Sequence, residues 1–154
     1  MAVAVVCALA VSCAGVDQQK FDRVVKAGAA LQAEVQSNSG PPRPQSRDLL
    51  KEFDAEIAAL TDHTIGTRES EALQAYADAA NAYRYFLRFR VLDLDTDASQ
   101  ILLKGPNLEV ATRYKLPLDT RNGAKWVNRA QAVTILLQAA DQRLNDGNRL
   151  VKGG

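Results

Sequence analysis

Thr67 to Arg90 reads TRESEALQAYADAANAYRYFLRFR, and its spacing decides the fold. Leu73, Tyr76, Ala77, Ala80, Tyr83 and Leu87, with Val91 beyond them, recur at three- and four-residue steps, which is the period of one helix face. Thr67 can cap the helix start, and Glu69 and Glu71 sit where a helix dipole favours negative charge. Ala75, Ala77, Ala79, Ala80 and Ala82 leave the middle slim enough for a neighbour to approach closely. The stretch predicts the longest helix of the chain, ending near Arg90 or Leu94.

The same period extends upstream. Phe21, Val24, Val25, Gly28, Leu31 and Val35 share one face, so a first helix runs from after Gly15 to about Gln36. Ser37-Asn38-Ser39-Gly40-Pro41-Pro42-Arg43-Pro44 cannot continue it. Ser46 then caps a second helix whose stripe is Leu49, Leu50, Phe53, Ile57 and Leu60, and which stops around His63 before the turn Thr64-Ile65-Gly66.

Downstream the pattern is less regular. Asp97 and Gln100 stand at capping-box spacing, which predicts a short helix over Ala98 to Lys104, ended by Gly105-Pro106. From Glu109 to Leu118, Val110, Thr112, Tyr114 and Leu116 alternate, as in a short strand or an extended loop. A final helix is expected from about Asn122 to Leu144 or further, with Trp126, Val127, Ala130, Val133, Leu137, Ala140 and Leu144 on its stripe. Asp146-Gly147 should interrupt it, and Val151 to Gly154 should fray. The expected fold is all-α: an antiparallel bundle of about four helices, with a long irregular connection between helices three and four. Long connections in compact domains are often where function sits.

Composition narrows the function classes. The chain has 154 residues, an apolar fraction of 47% and a charged fraction of 24%, the make-up of an ordinary globular domain. Nineteen basic residues against eighteen acidic ones leave a net charge of +1, without the basic excess of a dedicated nucleic-acid binder. The two cysteines are Cys7 and Cys13. From Ala14 onward there is none, which excludes a disulfide scaffold or a cysteine-ligated metal in the body. The one histidine, His63, cannot form a histidine cluster, and its place at a helix end suits the dipole there. No cofactor or metal is expected.

Met1 to Gly15 reads MAVAVVCALAVSCAG, an uncharged apolar run too short to span a bilayer as a helix. Its core and small residues are those of a secretory signal. Ala10-Val11-Ser12-Cys13 resembles a bacterial lipobox, although Ala10 stands where that pattern has leucine and no basic residue precedes the run. The resemblance implies an exported lipoprotein: cleavage before Cys13, acyl chains on its thiol, and a membrane anchor made stable by more than one chain. An ordinary cleaved signal and an apolar first helix packed in the core are the alternatives. The first reading divides the chain into a signal over 1–13 and a single helical domain over 14–154.

Three candidate features remain. Asp93, Asp95 and Asp97 have the spacing that opens an EF-hand loop, but Ala98 and Lys104 occupy the places of its glycine and its bidentate glutamate. They read better as helix-end and capping aspartates. Tyr83, Arg84, Tyr85, Phe86, Arg88, Phe89 and Arg90 interleave aromatic and basic side chains, as a core edge with a solvated face does and as an anion- or partner-binding surface does. Trp126 reads as a core or rim anchor. No nucleophile elbow, P-loop, dinucleotide glycine pattern or zinc-protease motif occurs.

The leading expectation is therefore a non-enzymatic, exported or lipid-anchored module of the bacterial envelope, periplasmic or membrane-bound, with Cys13 lipidated and a possible protein partner there. The alternative is a helical bundle binding a small apolar or anionic ligand near helix three. A pocket lined by Tyr83, Arg88 and Trp126 would mark it. An enzyme is the third reading, marked by carboxylates and arginines converging in one cleft with shifted acid constants.

Overall fold

The computed structural model describes residues 16–38, 40–63, 66–92 and 99–153. Helices take 74% of these residues, joined by a small three-stranded sheet. Four long helices, α1 (Gln18–Ser37), α2 (Pro44–Thr61), α3 (Thr67–Val91) and α5 (Arg129–Lys152), surround one apolar core. A short helix, α4 (Pro106–Arg113), and the strands β1 (Gln100–Leu102), β2 (Leu118–Arg121) and β3 (Ala124–Asn128) fill the chain between α3 and α5.

The alanines of α3 do what their size permits. Ala72, Ala75, Ala79 and Ala82 are buried, and α3 against α5 is the most extensive interface of the molecule. The two helices run antiparallel, with Tyr76 Oη donating to Asn148 Oδ1 at 2.9 Å and Tyr83 Oη donating to Asp141 Oδ1 at 2.6 Å. Both rings are fully buried, so each hydroxyl needs the acceptor it has. Gln32 Nε2 and Gln36 Nε2 also donate to the Asp141 carboxylate, at 3.0 and 3.1 Å, which ties α1 into the same seam.

The helix starts differ from the expected caps. Arg43 precedes α2 and Pro44 opens it, where its fixed φ suits a first turn. Ser46 lies within the helix, fully buried, donating to Glu34 Oε1 at 3.3 Å. Gly66 precedes α3, and Glu69 reaches back to accept its N–H at 3.1 Å, so Thr67 is the first helical residue rather than the cap.

The larger corrections fall after residue 99. Gln100 to Leu102 is a strand, so the expected helix over Ala98 to Lys104 does not form. Gln100 pairs with Asn128, Ile101 with Val127 and Leu102 with Trp126. Ile101 and Val127 are both fully buried, and that burial fixes the register. Pro106 does not end a helix but begins α4. The apparent alternation there hid a helical spacing: Asn107, Val110 and Ala111 form the buried face. Lys115 ends α4 in the left-handed position, at φ 52°, that glycine usually fills. Leu116 N–H to Ala111 O at 2.9 Å and Lys115 N–H to Thr112 O at 3.3 Å close the cap.

The final helix begins at Arg129, not near Asn122. Asn122-Gly123 is a hairpin turn with φ of 50° and 76°, which joins β2 to the central β3. Trp126 and Val127 therefore belong to a strand. Extending a stripe from them shifted the helical phase by one residue: Ala132 and Leu136 are buried, whereas Ala130 is exposed and Val133 and Leu137 are half-buried. Asp146-Gly147 does not interrupt α5. A Cβ at Gly147 would lie 2.9 Å from the Tyr76 ring, so glycine is what lets the two helices close there.

Candidate functional site

The end of α3, the start of α5 and the α1–α2 connection meet around an open cavity of about 460 Å³. From α3 comes Arg90, and from α5 come Arg129, Ala130 and Val133. Ser99 and Asn128 flank the sheet side, and Gly40 and Pro41 form the opposite wall. Each part is held by identifiable bonds. Asn38 is buried at the end of α1, donating from Nδ2 to Pro41 O and accepting the N–H of Gly40, both at 3.1 Å. Arg90 Nη1 donates to Asn38 O at 2.9 Å, and its guanidinium lies 5.3 Å from the centre of the Phe86 ring. Burial holds Arg90 below the ordinary arginine value, yet it stays charged at any ordinary pH. Arg129 N–H donates to Ser99 O at 2.8 Å, and Asn128 Oδ1 caps α5 by accepting from Gln131 N–H at 3.1 Å.

The side chain of Arg129 is unusual. Its Nε and Nη1 are shut off from solvent and have no acceptor among the described residues. A buried guanidinium donor without an acceptor carries a desolvation penalty that stable proteins rarely leave standing. Apart from Ser99 and Asn128, the rest of the lining is apolar or backbone: Gly40, Pro41, Ala130 and Val133.

The sequence-predicted site residues disperse. Tyr83 is in the core on Asp141, with burial and that carboxylate both raising its hydroxyl far above the usual tyrosine value. Arg84 is exposed and paired with Asp54 on α2 and with Asn81. Arg88 is exposed, and Phe86 and Phe89 are buried in the core. Trp126 is half-buried on β3 opposite Leu102 and Asp119. The hoped-for pocket of Tyr83, Arg88 and Trp126 is not formed. Only Arg90 of the aromatic–basic cluster reaches the cavity, which Arg129, not among the residues expected from sequence, also lines. The signal for Arg129 was the hairpin turn at Asn122-Gly123: once a strand ends at Asn128, Arg129 becomes the first residue of a helix.

A second, polar groove of about 800 Å³ runs between α3, α4 and α5. Asp78 and Asp146 face it with Arg113 and Arg143, so carboxylates and arginines do converge in one cleft. Each carboxylate is engaged by a neighbour on its own helix: Asp78 by Gln74, Asp146 by Gln142 and Arg149. Tyr114 lies on this groove, and burial raises its phenol above the usual value.

Among the described residues no group of three or more histidine, cysteine, aspartate or glutamate side chains comes together to hold a metal, and no helix is long and apolar enough to cross a membrane. Cys13 and the Asp93–Asp97 carboxylates lie outside the described residues. No family model, curated protein or solved structure matches the chain.

Proposed function

We propose that the chain is a non-enzymatic binding module of the bacterial envelope, an antiparallel bundle of four long helices that holds a small ligand in the cavity between Arg90 and Arg129. The observation that carries this reading is the cavity itself, of a volume usual for small-molecule sites and lined by apolar side chains with a few convergent polar groups. The lipobox-like Ala10-Val11-Ser12-Cys13 supports export and a lipid anchor on Cys13.

The two features are compatible in space. Asp17, four residues after Cys13, caps α1, and its N–H donates to Glu69 at 3.3 Å. The cavity wall at Gly40 and Pro41 follows the other end of α1, roughly 30 Å away along a helix of 20 residues. An anchor at Cys13 would thus tether the protein by the end of α1 opposite the cavity.

Metabolic labelling with a clickable fatty-acid analogue tests the anchor. Label on the natural protein and none on Cys13→Ala is the expected result; equal labelling of both removes the lipid anchor. A fragment screen by methyl NMR tests the cavity. Shifts clustered on Ala130 and Val133 support the binding reading, and hits confined to other surfaces overturn it.

A further inference from the structure

We infer that the cavity selects a small organic carboxylate, with its head on Arg129 and Arg90 and its apolar body against Pro41, Ala130 and Val133. The inference rests on the reading of this cavity as a ligand site and names the chemistry of the ligand.

Arg129 and Arg90 both line the cavity, and neither has an ion-pair partner among the described residues. Arg90 spends one donor on Asn38 O, and this bond with the Phe86 stacking fixes the plane of its guanidinium while leaving its other donors for a ligand. Two cations on one small cavity call for an anion.

The start of α5 adds to the same preference. Ala130 is the second residue of a helix of 24, and its N–H is one of those a helix start leaves without an intrahelical acceptor. Two neighbouring first-turn amides are already used, by Ser99 O and Asn128 Oδ1.

The remaining wall decides which anion. A guanidinium fork matches the two oxygens of a carboxylate. Inorganic phosphate has no carbon body to cover the apolar wall of Pro41, Ala130 and Val133, so burial adds nothing to its binding. A carboxylate instead presents one polar end and lets a short carbon chain or ring cover the apolar wall, which contributes by burial.

Isothermal titration of the full chain with hexanoate, hexanol and inorganic phosphate tests this. Hexanoate should bind at least roughly tenfold more tightly than either control, the effect expected of a charge-assisted hydrogen bond. Arg129→Met should remove that preference, bringing hexanoate to the level of hexanol. Ala130→Trp, at an exposed helix position, should block both without unfolding the protein.

Equal binding of hexanoate and hexanol, both lost in Ala130→Trp, overturns the carboxylate inference and keeps the cavity as a ligand site. Tighter binding of phosphate overturns it also. Binding of hexanoate only after Asp93, Asp95 and Asp97 are all changed to Asn would assign the counter-charge to the chain itself and overturn an external ligand. No binding of any probe to the natural or the triple variant fails both readings.

Discussion

The α3–α5 seam and the sheet end of the molecule treat their polar groups in opposite ways. Along the seam, every buried hydroxyl has an acceptor: Tyr76 on Asn148, and Tyr83 on an Asp141 carboxylate that Gln32 and Gln36 also serve. At the sheet end, Asn107 Oδ1 and the Nε and Nη1 of Arg129 are buried without partners, and these are the only such side-chain atoms among the described residues. A satisfied seam stabilises one arrangement. Groups left wanting partners cost stability and persist where something else uses them. The contrast fits a seam that serves folding and, on the function proposed above, a sheet end that serves binding.

The largest effect that can test this is a side chain forced into the seam. Gly147→Leu places a Cβ and more against a ring that is already 2.9 Å from an ideal Cβ position. The loss should be about 3 kcal/mol, read as a lower urea midpoint at unchanged slope. A loss below the small cost of a surface substitution would show that α3 and α5 can slide apart, and the seam would no longer be the rigid half.

Tyr83→Phe comes next. It removes the donor on Asp141 and leaves the carboxylate with its two glutamines, so about 1.5 kcal/mol should be lost. A double-mutant cycle with Asp141→Asn isolates the pair. A coupling near zero would mean that the seam is held by packing alone.

The same contrast explains what was readable in the sequence. The long helices were legible because their apolar residues recur at one period over five or more turns, and tertiary packing confirms such a pattern rather than overriding it. Leu73, Tyr76, Tyr83 and Leu87 are all buried where the stripe put them. The segment from Gln100 to Asn128 was not legible because each element is three to eight residues long, too short for period to decide. Val110 and Tyr114 fit both an alternation and a helical step. Lys115 ends α4 in a conformation its side chain does not advertise. Asn122-Gly123 did carry a hairpin signal, and reading it as a helix start hid Arg129. Of the candidate site, Arg90 was named from sequence, but its partner across the cavity depended on a strand pairing that joins residues about 26 apart.

At the sheet end the expected effect is small and of the opposite sign. Arg129→Met replaces two orphaned donors with an apolar chain of similar reach. Stability in the absence of ligand should be unchanged or higher by up to about 1 kcal/mol. A loss of 2 kcal/mol or more, on the scale of breaking a partnered buried charge, would show that Arg129 is structurally engaged, and the division between the two regions would fail.

The smallest effect belongs to Glu69, where α1 and α3 begin. Its carboxylate is buried and accepts from the N–H of Gly66, from the N–H of Asp17 and from Lys20 Nζ at 3.4 Å. The Gly66 bond is the main reason its acid constant lies below the ordinary value of 4.5; burial opposes the shift, and Asp17 and Lys20 add to it. A carboxyl whose folded value is lowered contributes stability that is present above its unfolded value and is lost as pH falls through the folded one. Glu69→Gln keeps an acceptor but removes the charge, and the Lys20 pair is weak because that side chain is 42% exposed. The natural protein should therefore exceed the variant by no more than about 1 kcal/mol at pH 7, where the carboxylate is charged, and the gap should close as the pH is taken well below 4.5. Urea titrations of both proteins across that range measure it. A gap that persists unchanged in acid would place the role of Glu69 in shape rather than charge, and would leave the partnered end of the molecule held by packing and neutral hydrogen bonds.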